Sequence, residues 1–280
     1  MWGPAILMSG YAAPMPLTRR QLFPAPLAAV GLGLGCQGDA SKRAQRGAGT
    51  AENPWRIGLS QCNLGEPWRV QMNRDIEQAA AAHPGIQLIA KDGQNKSLTQ
   101  RAHVEEFGQQ GIDLLIISPK ESAPLTRPVA ELHKAGTPVI VLDRAVDGDA
   151  YTTFIGGDNL TIGEAAGRWC REALGGKGTI VELQGLMTST PGQQRHTGFR
   201  AGLQLDKHPE LKVVFVADMQ WLEPNARREM ESALATQPAI DLVFAHNDPG
   251  AHGAYLAAKT ANRASAINWF MVSSVTRFLE

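Results

Sequence analysis

Pro138-Val139-Ile140-Val141-Leu142-Asp143-Arg144 runs four apolar residues straight into an acid and a base. Four apolar side chains in a row cannot alternate between core and solvent, so residues 139–142 predict a strand covered on both faces. Working outward, residues 57–60, 87–90 and 114–117 also read as strands, and three of the four are nearly continuous apolar runs. Between the first two, residues 68–82 place Met72, Ile76, Ala79 and Ala80 on one helical face. His83-Pro84-Gly85 stops that helix. Residues 98–110 and 125–135 supply two more helices, closed by Gly111 and Gly136. The order βαβαβαβ predicts a parallel sheet with right-handed crossovers.

A second round follows Phe154-Ile155-Gly156-Gly157-Asp158-Asn159. Helix 160–174 leads to strand 179–183, then helix 193–207, strand 212–217, helix 225–236, strand 242–245 and helix 250–260. The expected fold is α/β: two doubly wound parallel-sheet lobes, residues 55–157 and 158–262, with a hinge near residues 156–159. The chain has 27 Lys+Arg against 27 Asp+Glu, so no global charge draws it to nucleic acid. Three cysteines in 280 residues exclude a disulfide scaffold, and neither they nor the scattered histidines have zinc-ligand spacing. No metal or cofactor is expected.

Residues 1–36 read as a signal peptide. Arg19-Arg20 precede an uncharged apolar run, residues 22–35, that is too short to span a bilayer and is interrupted by Pro24 and Pro26. The paired arginines point to the twin-arginine route, and Met15 is an alternative initiator. Gly33-Leu34-Gly35-Cys36 is similar to a lipobox, with Gly33 where a large aliphatic residue is usual. Two readings stay open: Cys36 is the lipidated N-terminus, or the signal is an ordinary one that contains a cysteine. Either places the working protein in the periplasm or on the outer face of the cytoplasmic membrane, touching membrane only through signal or lipid. Residues 37–54, rich in Gly, Ala, Ser and charge, form a flexible tether.

In open α/β sheets, ligands bind beyond the carboxyl ends of the strands. The residues there include Gln61, Asn63, Glu66, Trp68, Arg69, Asp92, Ser118, Lys120, Asp143, Arg144, Gln184, Asp218, Trp221, His246, Asn247 and Asp248. Carboxylates, amides and guanidinium forks match vicinal hydroxyls, and an indole covers a sugar's C–H face.

These motifs, in this order, resemble the periplasmic sugar-binding proteins of the ribose-binding class (type I periplasmic-binding-protein fold), most of all the galactofuranose-binding branch. The residues that carry it are Leu59-Ser60-Gln61 with Glu66-Pro67-Trp68-Arg69, Lys91-Asp92-Gly93-Gln94, Ile116-Ile117-Ser118-Pro119, the 138–144 run, Val181-Glu182-Leu183-Gln184-Gly185 and Phe244-Ala245-His246-Asn247-Asp248. The resemblance covers residues 55–262. It implies ligand contacts at Trp68 and Arg69 with Glu66 beside them, a hydroxyl-gripping pair Asp143 and Arg144, Arg195 entering a second-lobe helix, Asn247, and a wall at Trp221. It further implies capture of a monosaccharide, a pentose or a galactofuranose-like hexofuranose, for an ABC importer; a chemoreceptor or sensor kinase is the other possible recipient.

Plainer readings stand beside each residue. Asp143-Arg144 could instead be a partly exposed ion pair, although its position after a buried strand favours the ligand. Trp68 could be a helix staple, Arg195 a surface arginine and Asn247 a helix cap. A cation at a helix start suits the dipole poorly, which favours function for Arg195. Cys62 and Cys170 read as buried thiols or as a chance pair. Enzyme readings find no Gly-x-Ser-x-Gly elbow, P-loop or helical zinc motif. A two-lobed repressor shares the fold, but its DNA-binding helices would occupy the place of the export signal.

Residues 263–280 depart from the family pattern: the Gly-x-Asp turn and the segments returning to the first lobe are missing. Residues 267–272 are apolar enough for a strand, and the rest reads as unrelated. A frameshift or early stop would explain such a tail, and the chain would then be a non-functional remnant. Uncovered helix faces and unpaired strand edges are the expected consequence.

Overall fold

The computed structural model describes residues 49–272. The stretches read as export signal and lipobox, with Cys36, most of the expected tether and the chain from residue 273 onward, lie outside the described residues. Five parallel strands form the first sheet: β1 (Trp55–Gln61), β2 (Ile86–Asp92), β3 (Leu114–Ser118), β4 (Val139–Leu142) and β5 (Thr153–Ile155), in the order β2-β1-β3-β4-β5. Its helices are α1 (Pro67–Ala81), α2 (Ser97–Gln110) and α3 (Ser122–Lys134). The sequence does not predict β5. Three exposed residues at a sheet edge are too short for a periodicity to register. Helix α3 begins three residues earlier than expected, because Pro124 sits in its first turn, where no backbone donor is lost.

The apolar runs explain how this sheet is covered. Val104 and Phe107 of α2, with Leu125 and Val129 of α3, bury Leu115, Ile117, Val139 and Val141. Each such side chain contributes about 1.5–3 kcal/mol. The alternate residues Leu114, Ile116, Ile140 and Leu142 point the other way and stay half-buried. On that side α1 packs against the β2 edge, leaving a groove of about 300 Å³ lined by Glu77, Ala80, Ala81, Ile86, Leu88 and Ala90.

The second sheet holds β6 (Gly178–Gln184), β7 (Leu211–Asp218), β8 (Leu242–Ala245) and β9 (Asn268–Met271), parallel and ordered β7-β6-β8-β9. Helices α4 (Asn159–Ala173) and α5 (Thr190–Leu203) cover one face; α6 (Glu223–Thr236) and α7 (Asp248–Thr260) cover the other. Helices α4 and α5 meet backbone to backbone. A Cβ on Gly198 would stand 2.1 Å from the Leu160 carbonyl oxygen, and one on Gly167 2.2 Å from that of Phe199. Only glycine permits this approach, and it fixes the helix that carries Arg195. Because α5 starts at Thr190 with Pro191 in its first turn, Arg195 sits in the second turn, and the dipole objection to it loses force.

The tail stretch apolar enough for a strand is built into this lobe. A 3₁₀ turn (Ala264–Ala266) leads into β9, which pairs with β8 from Asn268 to Met271. Phe270 stacks on Trp169 at 4.4 Å and lies 5.9 Å from the Phe244 ring. An apolar run at the edge of a growing parallel sheet finds its place by burying those rings.

Candidate functional site

In the first lobe the site begins with Arg69, in the first turn of α1 and 1% exposed. Its Nε donates to Glu66 Oε1 at 3.0 Å, Nη1 to Gln61 Oε1 at 2.9 Å and Ser118 Oγ at 2.8 Å, and Nη2 to Asp143 Oδ2 at 2.9 Å. All three nitrogens are therefore engaged within the protein, and Arg69 works chiefly as the anchor for Asp143. Burial opposes its charge, but Cys62, Glu66 and Asp143 outweigh that, and its pKa is raised above the ordinary arginine value.

Asp143 follows β4 in the left-handed region, φ 64°, and its N–H donates to the Ile155 carbonyl. A non-glycine residue there is held by its surroundings, a feature that clusters at binding sites. Arg144, 2% exposed, donates from Nη1 to the Lys120 carbonyl at 3.1 Å and from Nη2 to Glu66 Oε1 at 3.5 Å. Its Nε is a buried donor without a hydrogen-bond partner among the described residues. Trp68 stands half-buried at the second position of α1; the bonds that join its neighbours do not include it.

In the second lobe, Arg195 donates from Nε to Asn159 Oδ1 at 2.9 Å and from Nη1 to the His246 carbonyl. Burial pushes its pKa down to about 10, with Asp143, Arg144, Asp248 and Glu66 as smaller influences, so it stays charged at neutral pH. Trp221 is 4% exposed. Arg144 of the first lobe lies over its ring at 5.6 Å and Arg195 at 5.3 Å. Gly185 packs so close that a Cβ there would be 2.2 Å from the indole. Gln220 and Trp221 both have left-handed backbones, φ 55° and 68°. Asn247 caps α7 by accepting from Gly250 N–H at 3.0 Å and donates to the Trp221 carbonyl at 2.9 Å.

Seven of the eight predicted ligand residues thus meet in one cluster: Glu66, Arg69, Asp143 and Arg144 from the first lobe, with Arg195, Trp221 and Asn247 from the second. The rims also touch. Thr188 Oγ1 donates to Glu121 Oε1 at 2.9 Å, Ser122 N–H to the Thr188 carbonyl at 3.2 Å, and Ala145 N–H to Thr190 Oγ1 at 2.9 Å. Two guanidinium groups lie over the indole and Gly185 packs against it, so Trp221 is largely spent on protein contacts. Sequence reasoning passed over Gln61, Ser118, Asn159 and Glu182 as site members. The first two carried a signal, their position at strand ends; Glu182 carried another, a lone charge inside an apolar strand.

Two parallel α/β lobes whose strand ends bring guanidinium, carboxylate, amide and indole groups together define a bilobal solute-binding protein. The chain belongs to the periplasmic binding protein domain family, whose model matches residues 57–275. It is 31% identical over 207 residues to the ribose import binding protein of Bacillus subtilis, covering 74% of this chain and 66% of that protein. It is 29% identical over 215 residues to a galactofuranose-binding protein of Escherichia coli, covering 74% and 67%. Among solved structures, the fructose-binding periplasmic domain of a hybrid two-component system superposes with a TM-score of 0.73 at 42% identity, covering 77% of this chain and 71% of that one. The chain spans about two thirds of the length of these curated relatives, which are sugar-binding proteins.

Proposed function

We propose that this protein captures a monosaccharide, a pentose or a galactofuranose-like hexofuranose, between its lobes and delivers it to an ABC-type importer outside the cytoplasmic membrane. The observation that carries the reading is the cross-lobe cluster in which Arg144 of one lobe faces Trp221 and Arg195 of the other. Asp143 and Arg144 offer acceptor and donor to vicinal hydroxyls, and Asn247 and Arg195 close from the opposite side. No bond is made or broken. Closing the lobes expels water, and each hydrogen bond strengthens in the lower dielectric. Arg69 and Glu66 act through the pair they hold. The ribose and galactofuranose relatives support the ligand class. Export by the N-terminal signal, with or without acylation of Cys36, belongs to the same proposal.

Calorimetric titration with D-ribose, L-arabinose, D-fructose and a methyl galactofuranoside tests it. Saturable one-to-one heat with at least one sugar is expected. Absence of heat with all four, together with a broad non-cooperative melt, would favour a remnant that has lost binding. A second reading, a sensor that passes the sugar-bound state to a signalling partner, is favoured by the likeness to the fructose-binding domain of a two-component system. Genes beside this one, transporter subunits or a kinase, separate the two.

A further inference from the structure

Glu182 lies in the middle of β6 with its side chain fully buried. A carboxylate taken out of water is costly unless it is paired, so its partners show what the fold uses it for. Oε1 accepts from His196 Nδ1 at 2.8 Å and from His246 Nε2 at 3.3 Å. Oε2 accepts from Arg200 Nε at 3.1 Å, with Arg200 Nη2 at 2.9 Å. His196 and Arg200 belong to α5, the helix of Arg195; His246 follows β8, and its carbonyl receives the Arg195 guanidinium. One carboxylate therefore ties the helix that carries Arg195 to the loop that holds its tip. The same loop continues into Asn247, whose side chain fixes the Trp221 backbone.

We infer that Glu182 is a positioning residue for the sugar site: it clamps α5 to the His246–Asn247 loop and so sets Arg195 and Trp221 without touching ligand. The inference rests on the reading of Arg195 as a ligand contact, but it can be read without sugar. Arg195 Nε–H, bonded to Asn159 Oδ1, should give an arginine resonance protected from solvent exchange in the wild-type protein. Glu182→Gln keeps the shape but removes the charge. It puts an amide where either His196 and His246 or Arg200 must lose an acceptor. The variant should lose that protection and bind whichever of D-ribose, L-arabinose, D-fructose or methyl galactofuranoside the wild type takes up roughly ten- to hundredfold more weakly.

The pH profile distinguishes positioning from general weakening. His246 faces Glu182 of β6 and His196, Arg195 and Arg200 of α5. Burial lowers its pKa, Glu182 partly restores it, and Arg195 and His196 lower it again. Protonating His246 sets a cation beside Arg195, so wild-type affinity should fall as pH drops below the ordinary histidine range. Removing the carboxylate lowers the His246 pKa further, so in Glu182→Gln that acid limb shifts to lower pH. A merely loosened lobe would lose affinity equally at every pH.

If Glu182→Gln fails to fold, Arg200→Ala, which cuts one arm of the clamp at a residue 31% exposed, decides instead, with a three- to tenfold loss expected. Unchanged Nε–H protection and unchanged affinity in the variant that folds would overturn the inference. Should wild type bind none of the four sugars, the sugar reading falls, and the Nε–H exchange alone decides whether Glu182 positions Arg195.

Discussion

Replacing Glu66 by Gln removes one charge from the first-lobe half of the site while keeping its volume. Glu66 Oε1 lies 3.0 Å from Arg69 Nε and 3.5 Å from Arg144 Nη2, and the three side chains are 7%, 2% and 2% exposed. At an effective dielectric of about 20, each contact is worth roughly 5 kcal/mol in gross Coulomb energy. The desolvation of the carboxylate offsets much of that, since the amide no longer bears it. Breaking a buried pair by removing one partner typically costs about 3–5 kcal/mol. Arg69 keeps Asp143 at 2.9 Å, which sets the expectation at the lower end, about 3 kcal/mol. Against the 5–15 kcal/mol that typically holds a domain, such a loss is large. Urea unfolding followed by circular dichroism measures it. A change below about 1 kcal/mol, with cooperativity intact, would show that the two arginines do not depend on Glu66 and would refute the network as drawn.

Asp143→Ala and Arg144→Ala should each abolish measurable sugar binding in calorimetry while the protein still melts cooperatively; wild-type affinity in either variant would contradict their placement. Gly198→Ala forces a Cβ to within 2.1 Å of the Leu160 carbonyl oxygen and should destabilise by about 1–3 kcal/mol in the same urea assay. Acid should weaken the second lobe in two stages. Burial lowers the His246 pKa, so its contribution is full above the ordinary value near 6.5 and declines as pH falls below it. Burial opposes ionisation of Glu182, but His196 and His246 hold its pKa down at about 2, so its contribution is full above about 4.5 and is lost as pH falls toward 2. A melting temperature that does not fall between pH 7 and 3 would be inconsistent with both. Cys170, fully buried and with its thiol pKa raised by desolvation, should resist alkylation until that lobe unfolds, as peptide mapping would show.

Much of this was legible from the chain. Fully covered parallel strands require unbroken apolar runs, so Val139–Leu142 and Leu242–Ala245 appear with the expected bounds. At α3 and α5 the sequence pattern places the helix start late, because proline in the first turn looks like a breaker but is tolerated. The short edge strand β5 leaves no period to find. At the site, position after a strand singles out Asp143, Arg144 and Asn247, because the topology places every strand end on one side. What that rule cannot supply is how a side chain is spent. Arg69 spends its nitrogens on Glu66, Gln61, Ser118 and Asp143, and Trp221 has two arginines over its ring. Ser118 and Asp143 lie 49 and 74 positions from Arg69, and Arg144 lies 77 positions from Trp221, beyond the reach of any local pattern. Glu182 was visible as a charge in an apolar strand, but its role needed α5 and the loop after β8 to be brought together.

The central claim, that the two lobes share one carbohydrate crevice, is tested most directly by titrating the four sugars into wild type and into Asp143→Ala and Asn247→Ala, one variant from each lobe. The account predicts one binding site in wild type, lost in both variants, each of which remains folded. A wild type that unfolds cooperatively yet takes up none of the sugars, or binding that survives loss of either lobe's residue, would contradict it.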